Sequence, residues 1–246
     1  MKKEEFKKHK LPETPGVYFF LDKKHTTKIL PKKESILYIG KATSLKDRVG
    51  SYFNNDLINT RGVKIQSMIE NVKDIFFLKT NSVLEAIVLE AKYIKEFQPY
   101  FNTKEKDDKS HSFVVFTNEE FPRVLIMRGR EIDNNKILKS FGPFVSKAEL
   151  IEIMKIIRKI FPFRDKCDLP PKQILGREFL TMNLKPCFNY QIGLCPGVCI
   201  GKISKKDYQN NLDAIEKILS GENKKLTESL EKEMKLSAKE KDFEKA

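Results

Sequence analysis

Apolar and polar positions along this chain switch between the two-residue period of strands and the longer period of helices, and the switches mark its elements. The run from Val17 to Leu21 is apolar without a break, with Pro15-Gly16 as an opening turn, and reads as a strand. Residues 22–35 are polar and hold a proline, so they read as a loop. A second short apolar run over 35–39, ended by Gly40, is expected to pair with the first as an antiparallel hairpin with a long connection. Residues 44–53 then predict a helix, 61–72 an amphipathic helix and 73–80 a third strand. The helix over 81–97 is well marked, since Asn81 or Ser82 can cap it and Pro99 stops it. On a helical wheel Val83, Leu84, Ile87, Ala91 and Ile94 share one stripe, with Glu85 and Glu96 opposite. Glu90 breaks that division by falling on the stripe's flank, between Val83 and Phe97.

Past a charged loop over 103–112 the texture changes. Residues 113–117 and 123–129 read as two strands joined by a turn at Pro122, and 149–161 and 205–219 as helices. Between those helices, 165–201 is rich in Pro and Gly and has little periodicity, so something other than a packed core is expected to hold it. Residues 2–10 read as a short charged helix or a frayed end. From residue 224 a charged helix carries a thin stripe of Leu226, Leu230, Met234 and Ala238. That pattern is still running at Ala246, which predicts a fragment boundary. The expected class is α+β, with a small three-stranded antiparallel sheet flanked by helices, a mixed α/β cysteine-bearing region and a C-terminal helix.

Charge changes the picture more than overall composition does. Among 246 residues, 47 Lys and Arg face 34 Asp and Glu, a net charge of +13. Such a balance points to a polyanionic partner, nucleic acid before an anionic membrane surface, with a merely lysine-rich composition as the bland alternative. No secretory signal stands at the start, and no apolar run approaches the ~18 residues of a membrane span, so the expected compartment is the cytoplasm. All four cysteines fall between Cys167 and Cys199, which argues against a disulfide framework and, in a reducing compartment, for metal binding.

Several common chemistries are excluded first. The chain has no glycine-rich P-loop, and its histidines, His9, His25 and His111, stand far apart in sequence. A hydrolytic centre would need other groups. Glu90 is the candidate metal ligand, because a carboxylate beside an apolar stripe loses hydration and needs a cation; Mg²⁺ supplies one, and so does a lysine such as Lys41. Arg48 and Tyr52, four apart, can clamp a phosphate and orient a proton, or can be an exposed arginine stacked on a tyrosine. Tyr18 and Tyr38 stand at comparable positions on the two hairpin strands, where core tyrosines are equally at home.

Together, Gly16-Val17-Tyr18, Tyr38-Ile39-Gly40, the Arg48/Tyr52 pair and the displaced Glu90 resemble the GIY-YIG nuclease family. The stretches "YIGKATSLKDRVGSYF", "LEAKYIKEFQPYFN", "KDDKS", "FPRV", "FGPF" and "PCFNYQIGLCPGVC" follow in the order of the bacterial UvrC excinuclease family, covering nearly the whole chain. The resemblance implies that Tyr38 activates the attacking water or serves as general base, that Glu90 holds the divalent ion (Mg²⁺ or Mn²⁺), and that Arg48 contacts the scissile phosphate. Tyr18, Lys41 and Tyr52 would form the supporting shell, Gly40 would allow close backbone approach, and Asn102 would sit at the rim. It also implies a DNA endonuclease of nucleotide excision repair that cuts damaged double-stranded DNA on the 3′ side of a lesion. Enzymes of this family dock on UvrB after UvrA has acted, and no membrane partner is implied. Two other readings stay open: a stand-alone relative lacking the second nuclease domain, and a non-catalytic DNA-binding module.

By the same resemblance, residues 1–104 are the nuclease domain and 105–203 a middle region. Residues 204–246 are a helical region beginning a partial UvrB-binding motif. The cysteines, spaced Cys167-x19-Cys187-x7-Cys195-x3-Cys199, lack the paired C-x2-C knuckles of zinc ribbons. Four thiolates in an irregular segment suit the [4Fe–4S] cluster that the family implies, although the gap after Cys167 is longer than the family's spacing. Reduced buried cysteines are the alternative.

Overall fold

The computed structural model describes residues 9–53, 57–103, 111–167, 169 and 185–222, with the backbone alone for 57–62 and Thr103. The charged segments expected over 2–8 and 224–246 lie outside the described residues. The chain groups into two compact units, one of residues 1–110 with Gly142–Val145, the other of His111–Phe141 with 146–246. No described helix is long and apolar enough to cross a membrane.

The first unit is built on β1 (Gly16–Leu21), β2 (Ile36–Ala42) and β3 (Asp74–Lys79), all antiparallel, in the order β2-β1-β3. The central position of β1 explains its unbroken apolar run, since all six of its residues are buried. Successive side chains leave a strand on opposite faces. Tyr18 and Phe20 therefore pack with Leu45 and Val49 of α1 (Leu45–Gly50), with Tyr52 and Phe53, and with Met68 and Val72 at the end of α2 (Leu57–Asn71). Val17, Phe19 and Leu21 face the other way, onto Ile39 and onto Ala86 and Ile94 of α3 (Val83–Phe97). β2 runs two residues past Gly40, because Lys41 and Ala42 continue the ladder opposite Val17 and Gly16. The helix expected over 44–53 is in fact α1 followed by a 3₁₀ turn over Ser51–Phe53.

Ser82 caps α3, its hydroxyl accepting the Glu85 N–H, while the Glu85 carboxylate accepts the Asn81 N–H. Gln98, in the left-handed region at φ 50°, ends the helix before Pro99. The buried face of α3 is rotated from the expected stripe. Val83 is exposed, and Ala86, Ile87, Val88, Glu90, Ala91 and Ile94 are buried. Small side chains at 86 and 91 let the helix approach the sheet closely, and this encloses the carboxylate that the wheel left on a flank. The short α4 (Tyr100–Thr103) follows.

A second sheet consists of β4 (Ser112–Thr117), β5 (Val124–Arg128) and β6 (Ile137–Phe144), in the order β5-β4-β6, and lies in the second unit except for the end of β6 from Gly142. The helices α5 (Lys147–Ile160), the single turn α6 (Phe188–Gln191) and α7 (Lys205–Leu219) complete that unit. Ser146 and Ser204 cap α5 and α7 by the same hydroxyl contact to the third residue on. The cysteine-bearing segment is held by polar clamps. Arg158 donates to Asp165, Phe163 O and Leu194 O, and its guanidinium lies 4.8 Å from the Phe163 ring centre. Arg164, 1% exposed, pairs with Glu119 at 2.6 Å and donates to Phe121 O. The Tyr208 hydroxyl accepts the Arg164 N–H and donates to Pro122 O, which ties α7 into this unit.

Candidate active site

Eight of the residues singled out above gather along β2. Tyr18, fully buried on β1, stands opposite Gly40 in the ladder, and Phe20 stands opposite Tyr38. The Tyr18 hydroxyl lies 2.9 Å from that of Tyr52, and the ring of Tyr38 stacks on Phe20 at 6.1 Å. Gly40 is required here by space. A Cβ at this position would fall 2.4 Å from the Tyr18 hydroxyl oxygen and 2.9 Å from Tyr38 Cε1. Arg48 lies over the Tyr52 ring, 5.6 Å from its centre, and hydrogen-bonds Tyr18. The stacked arginine and the guanidinium aimed at a hydroxyl cluster are thus one arrangement.

The electrostatics follow from this packing. Burial, then the nearby Tyr38 and Tyr52 phenols, hold the Tyr18 pKa well above 10, with Arg48 only partly opposing them. Tyr18 is therefore a neutral phenol at physiological pH, a hydrogen-bond donor and no base. Arg48 is partly desolvated, which alone would lower its pKa, yet the surrounding tyrosines raise it and hold the guanidinium charged.

Glu90 arrives from α3. It is 5% exposed, and its Oε1 accepts the backbone N–H of Lys41 at 3.0 Å. The carboxylate thus meets Lys41 through the main chain in this bond. Consecutive residues of β2 consequently touch both parts of the site, Gly40 the tyrosine–arginine cluster and Lys41 the carboxylate. Asn102, expected at the rim, is 5% exposed and clamps the strand. Its Oδ1 accepts the Ile39 N–H and its Nδ2 donates to Ile39 O, both at 2.8 Å. It positions the strand that carries Tyr38 and Gly40. No sequence pattern announced that two-point clamp, nor the meeting of the Tyr18 and Tyr52 hydroxyls.

Among the described residues, no group of three or more His, Cys, Asp or Glu side chains is arranged to hold a metal ion. Glu90 would therefore bind a divalent cation as one carboxylate completed by waters, the usual manner of Mg²⁺. The four cysteines are unpaired. Burial raises the thiol pKa values of Cys167, Cys195 and Cys199, and neighbouring cysteines, Cys187 among them, add to each. As donors the thiols suit a thiophilic group, but as they stand they form no metal-holding group.

Residues 92–218 match the family described as the UvrC/Cho excinuclease middle domain, and residues 14–103 the UvrC-like GIY-YIG domain. The chain belongs to the UvrC/Cho excinuclease family. UvrABC system protein C of Clostridium beijerinckii is 38% identical over 237 residues, covering 96% of this chain and 35% of that protein. Its counterpart in Synechocystis is 36% identical, covering 96% of this chain and 34% of that protein. The chain thus spans about a third of the length of these relatives. Among solved structures, the GIY-YIG N-terminal endonuclease domain of UvrC from Thermotoga maritima, bound to magnesium as its catalytic divalent cation, is 32% identical. It covers 42% of this chain and 99% of its own, with a TM-score of 0.32. The Tyr18–Gly40–Arg48–Glu90 corner falls inside the stretch matched to the UvrC-like GIY-YIG domain, and the four cysteines inside the UvrC/Cho middle-domain stretch.

Proposed function

We propose that this chain is a metal-dependent DNA endonuclease of nucleotide excision repair, acting in the cytoplasm on damaged duplex DNA and cutting on the 3′ side of the lesion. The observation that carries the reading is the adjacency of Gly40 and Lys41. One lies against a hydroxyl cluster with a charged arginine, the other against a buried carboxylate. Residues 1–104 are read as the nuclease domain, 105–203 as the middle region and 204–246 as the start of the partner-binding helices.

A divalent ion bound at Glu90, Mg²⁺ or Mn²⁺, would supply a water of lowered pKa and neutralise phosphate charge. The chain's own groups do the rest. Arg48 binds the scissile phosphate through its fork of donors and stabilises charge building on the phosphoryl oxygens. Tyr18, kept protonated, hydrogen-bonds the Tyr52 hydroxyl and accepts from the Arg48 guanidinium, fixing both in place. Tyr38, as its phenolate, is the group to take a proton from the attacking water and become the neutral phenol, with Arg48 as the cation near it and Lys41 in support further along the strand. The four cysteines are read as the ligands of a [4Fe–4S] cluster on their residue type and grouping in the sequence, although as they stand they form no metal-holding group.

The partners follow from the family: UvrB as the docking surface, with UvrA upstream. The test is incision mapping on an end-labelled duplex with a single lesion, with and without UvrA, UvrB and Mg²⁺. The expected product is one nick 3′ to the lesion that needs the metal. Absence of any metal-dependent nick, with DNA still bound, would reduce the chain to a binding module.

A further inference from the structure

The connection between β1 and β2 is strongly basic, and the chemistry above leaves it unused. Over 22–35 it carries Lys23, Lys24, Lys28, Lys32 and Lys33, all exposed, against two carboxylates, Asp22 and Glu34. A solvated lysine loop would need no anchors, yet this one has several. The His25 N–H donates to Asp74 Oδ2 at 2.6 Å, and the His25 ring stands edge-on to Phe76 at 5.3 Å, so the loop is fastened to β3. Internally, His25 Nε2 lies 2.8 Å from Ile29 O and 3.2 Å from Thr27 Oγ1, and Ser35 donates through its hydroxyl and its N–H to Lys32 O. The loop borders an open cleft of about 450 Å³ whose lining includes Lys23, Lys24 and Lys32 together with Glu34 and the exposed apolar Ile29 and Leu30.

Position gives the cleft its meaning. The loop leads directly into β2, where Tyr38 stands two residues beyond Ile36, or roughly 7 Å along a strand.

We propose that the 22–35 loop is a backbone-phosphate subsite, in which Lys23, Lys24 and Lys32 hold the phosphodiesters flanking the scissile bond without regard to base sequence. The proposal rests on the reading that the chain acts on nucleic acid. Fastening of the loop to β3 means that little ordering is needed on binding, so the contacts set the distance between the held strand and the cutting corner.

The test is the salt dependence of binding to a 30-base-pair duplex by the full 246-residue chain. A Lys23→Gln/Lys24→Gln/Lys32→Gln variant is set beside one with the same charge change on exposed helix positions, Lys155→Gln/Lys159→Gln/Lys206→Gln. The subsite predicts that the loop variant's slope of log K against log salt falls by about 2 to 3, close to one per lysine, while the helix variant's slope changes by less than about 1. Unfolding temperatures should match the unaltered chain, since all six lysines are exposed. Equal slopes for the two variants would overturn the subsite and leave the nuclease reading standing. No salt-dependent binding by the unaltered chain would overturn both.

Discussion

Replacing Gly40 by alanine tests the geometry of the site at its tightest point. The added Cβ would stand 2.4 Å from the Tyr18 hydroxyl oxygen, 2.5 Å from its Cζ and 2.9 Å from Tyr38 Cε1. Ordinary carbon contacts begin near 3.4 Å, so a group must retreat by about 1 Å. Tyr18 has no exposed surface, and its hydroxyl is held by Tyr52, so it cannot swing into solvent. Overpacking of this kind costs about 1–3 kcal/mol, and relief of the glycine's strand penalty returns roughly 0.5–1 kcal/mol. The net loss of about 1–2 kcal/mol lowers the melting temperature of a unit this size by on the order of 5–15 °C. Displacing the Tyr18–Arg48 pair by about 1 Å should also reduce cleavage on the order of 100-fold. The assay is thermal unfolding with metal-dependent nicking, run as a cycle with Tyr18→Leu. Because leucine makes room for the methyl, the double variant should recover at least about 1 kcal/mol relative to additivity. A Gly40→Ala variant as stable as the unaltered chain, or strict additivity with Tyr18→Leu, would refute the reasoning.

Asn102→Ala leaves both the N–H and the C=O of Ile39 without partners in a buried strand and should cost about 2–4 kcal/mol in urea unfolding. Arg48→Lys keeps the charge but loses the fork and the stacking on Tyr52, so single-turnover cleavage should fall about 10²-fold or more while DNA affinity changes little. The second unit should lose stability in acid. Burial opposes ionisation of Glu119 and Asp165, but hydrogen bonds and charge from Arg123 and Arg164 on the one, and from Arg158 on the other, win, so both pKa values lie below the ordinary 4.5 and 3.8. The unfolded chain then takes up protons first as pH drops. This stabilisation is complete above about pH 5 and is lost as pH falls through the lowered native values, and Glu119→Gln with Asp165→Asn should flatten unfolding curves measured across that range.

The hydrophobic pattern was enough to place the first sheet, because a strand buried on both faces leaves an unbroken apolar run, as Val17–Leu21 does. It also placed the caps and stops of α3, since Ser82 and Pro99 act locally. The strand β6 was not legible. Its residues Ile137, Leu138, Lys139, Ser140 and Phe141 give no clean alternation, Gly142 and Pro143 after them look like a turn, and only pairing in the second sheet settles the state of the segment. The burial of Glu90 was half legible. A wheel shows which side of a helix a residue occupies, but closeness to the sheet depends on Ala86 and Ala91 acting together with the strand they meet. The roles of Arg158 and Arg164 were invisible, since their partners Leu194, Glu119 and Phe121 lie tens of residues away and nothing in either neighbourhood marks them.

The central claim is that Glu90 turns a phosphate-binding corner into a cutting site. Glu90→Gln separates the two functions, because the amide oxygen can still accept the Lys41 N–H that holds β2 while the charge that would bind a divalent ion is gone. The decisive measurement is the nicking rate of this variant on lesion-bearing duplex with UvrA, UvrB and saturating Mg²⁺, beside its melting curve and DNA affinity. The account predicts unchanged folding and binding with cleavage lost by on the order of 10³-fold or more. Cutting at the unaltered rate by Glu90→Gln would contradict it.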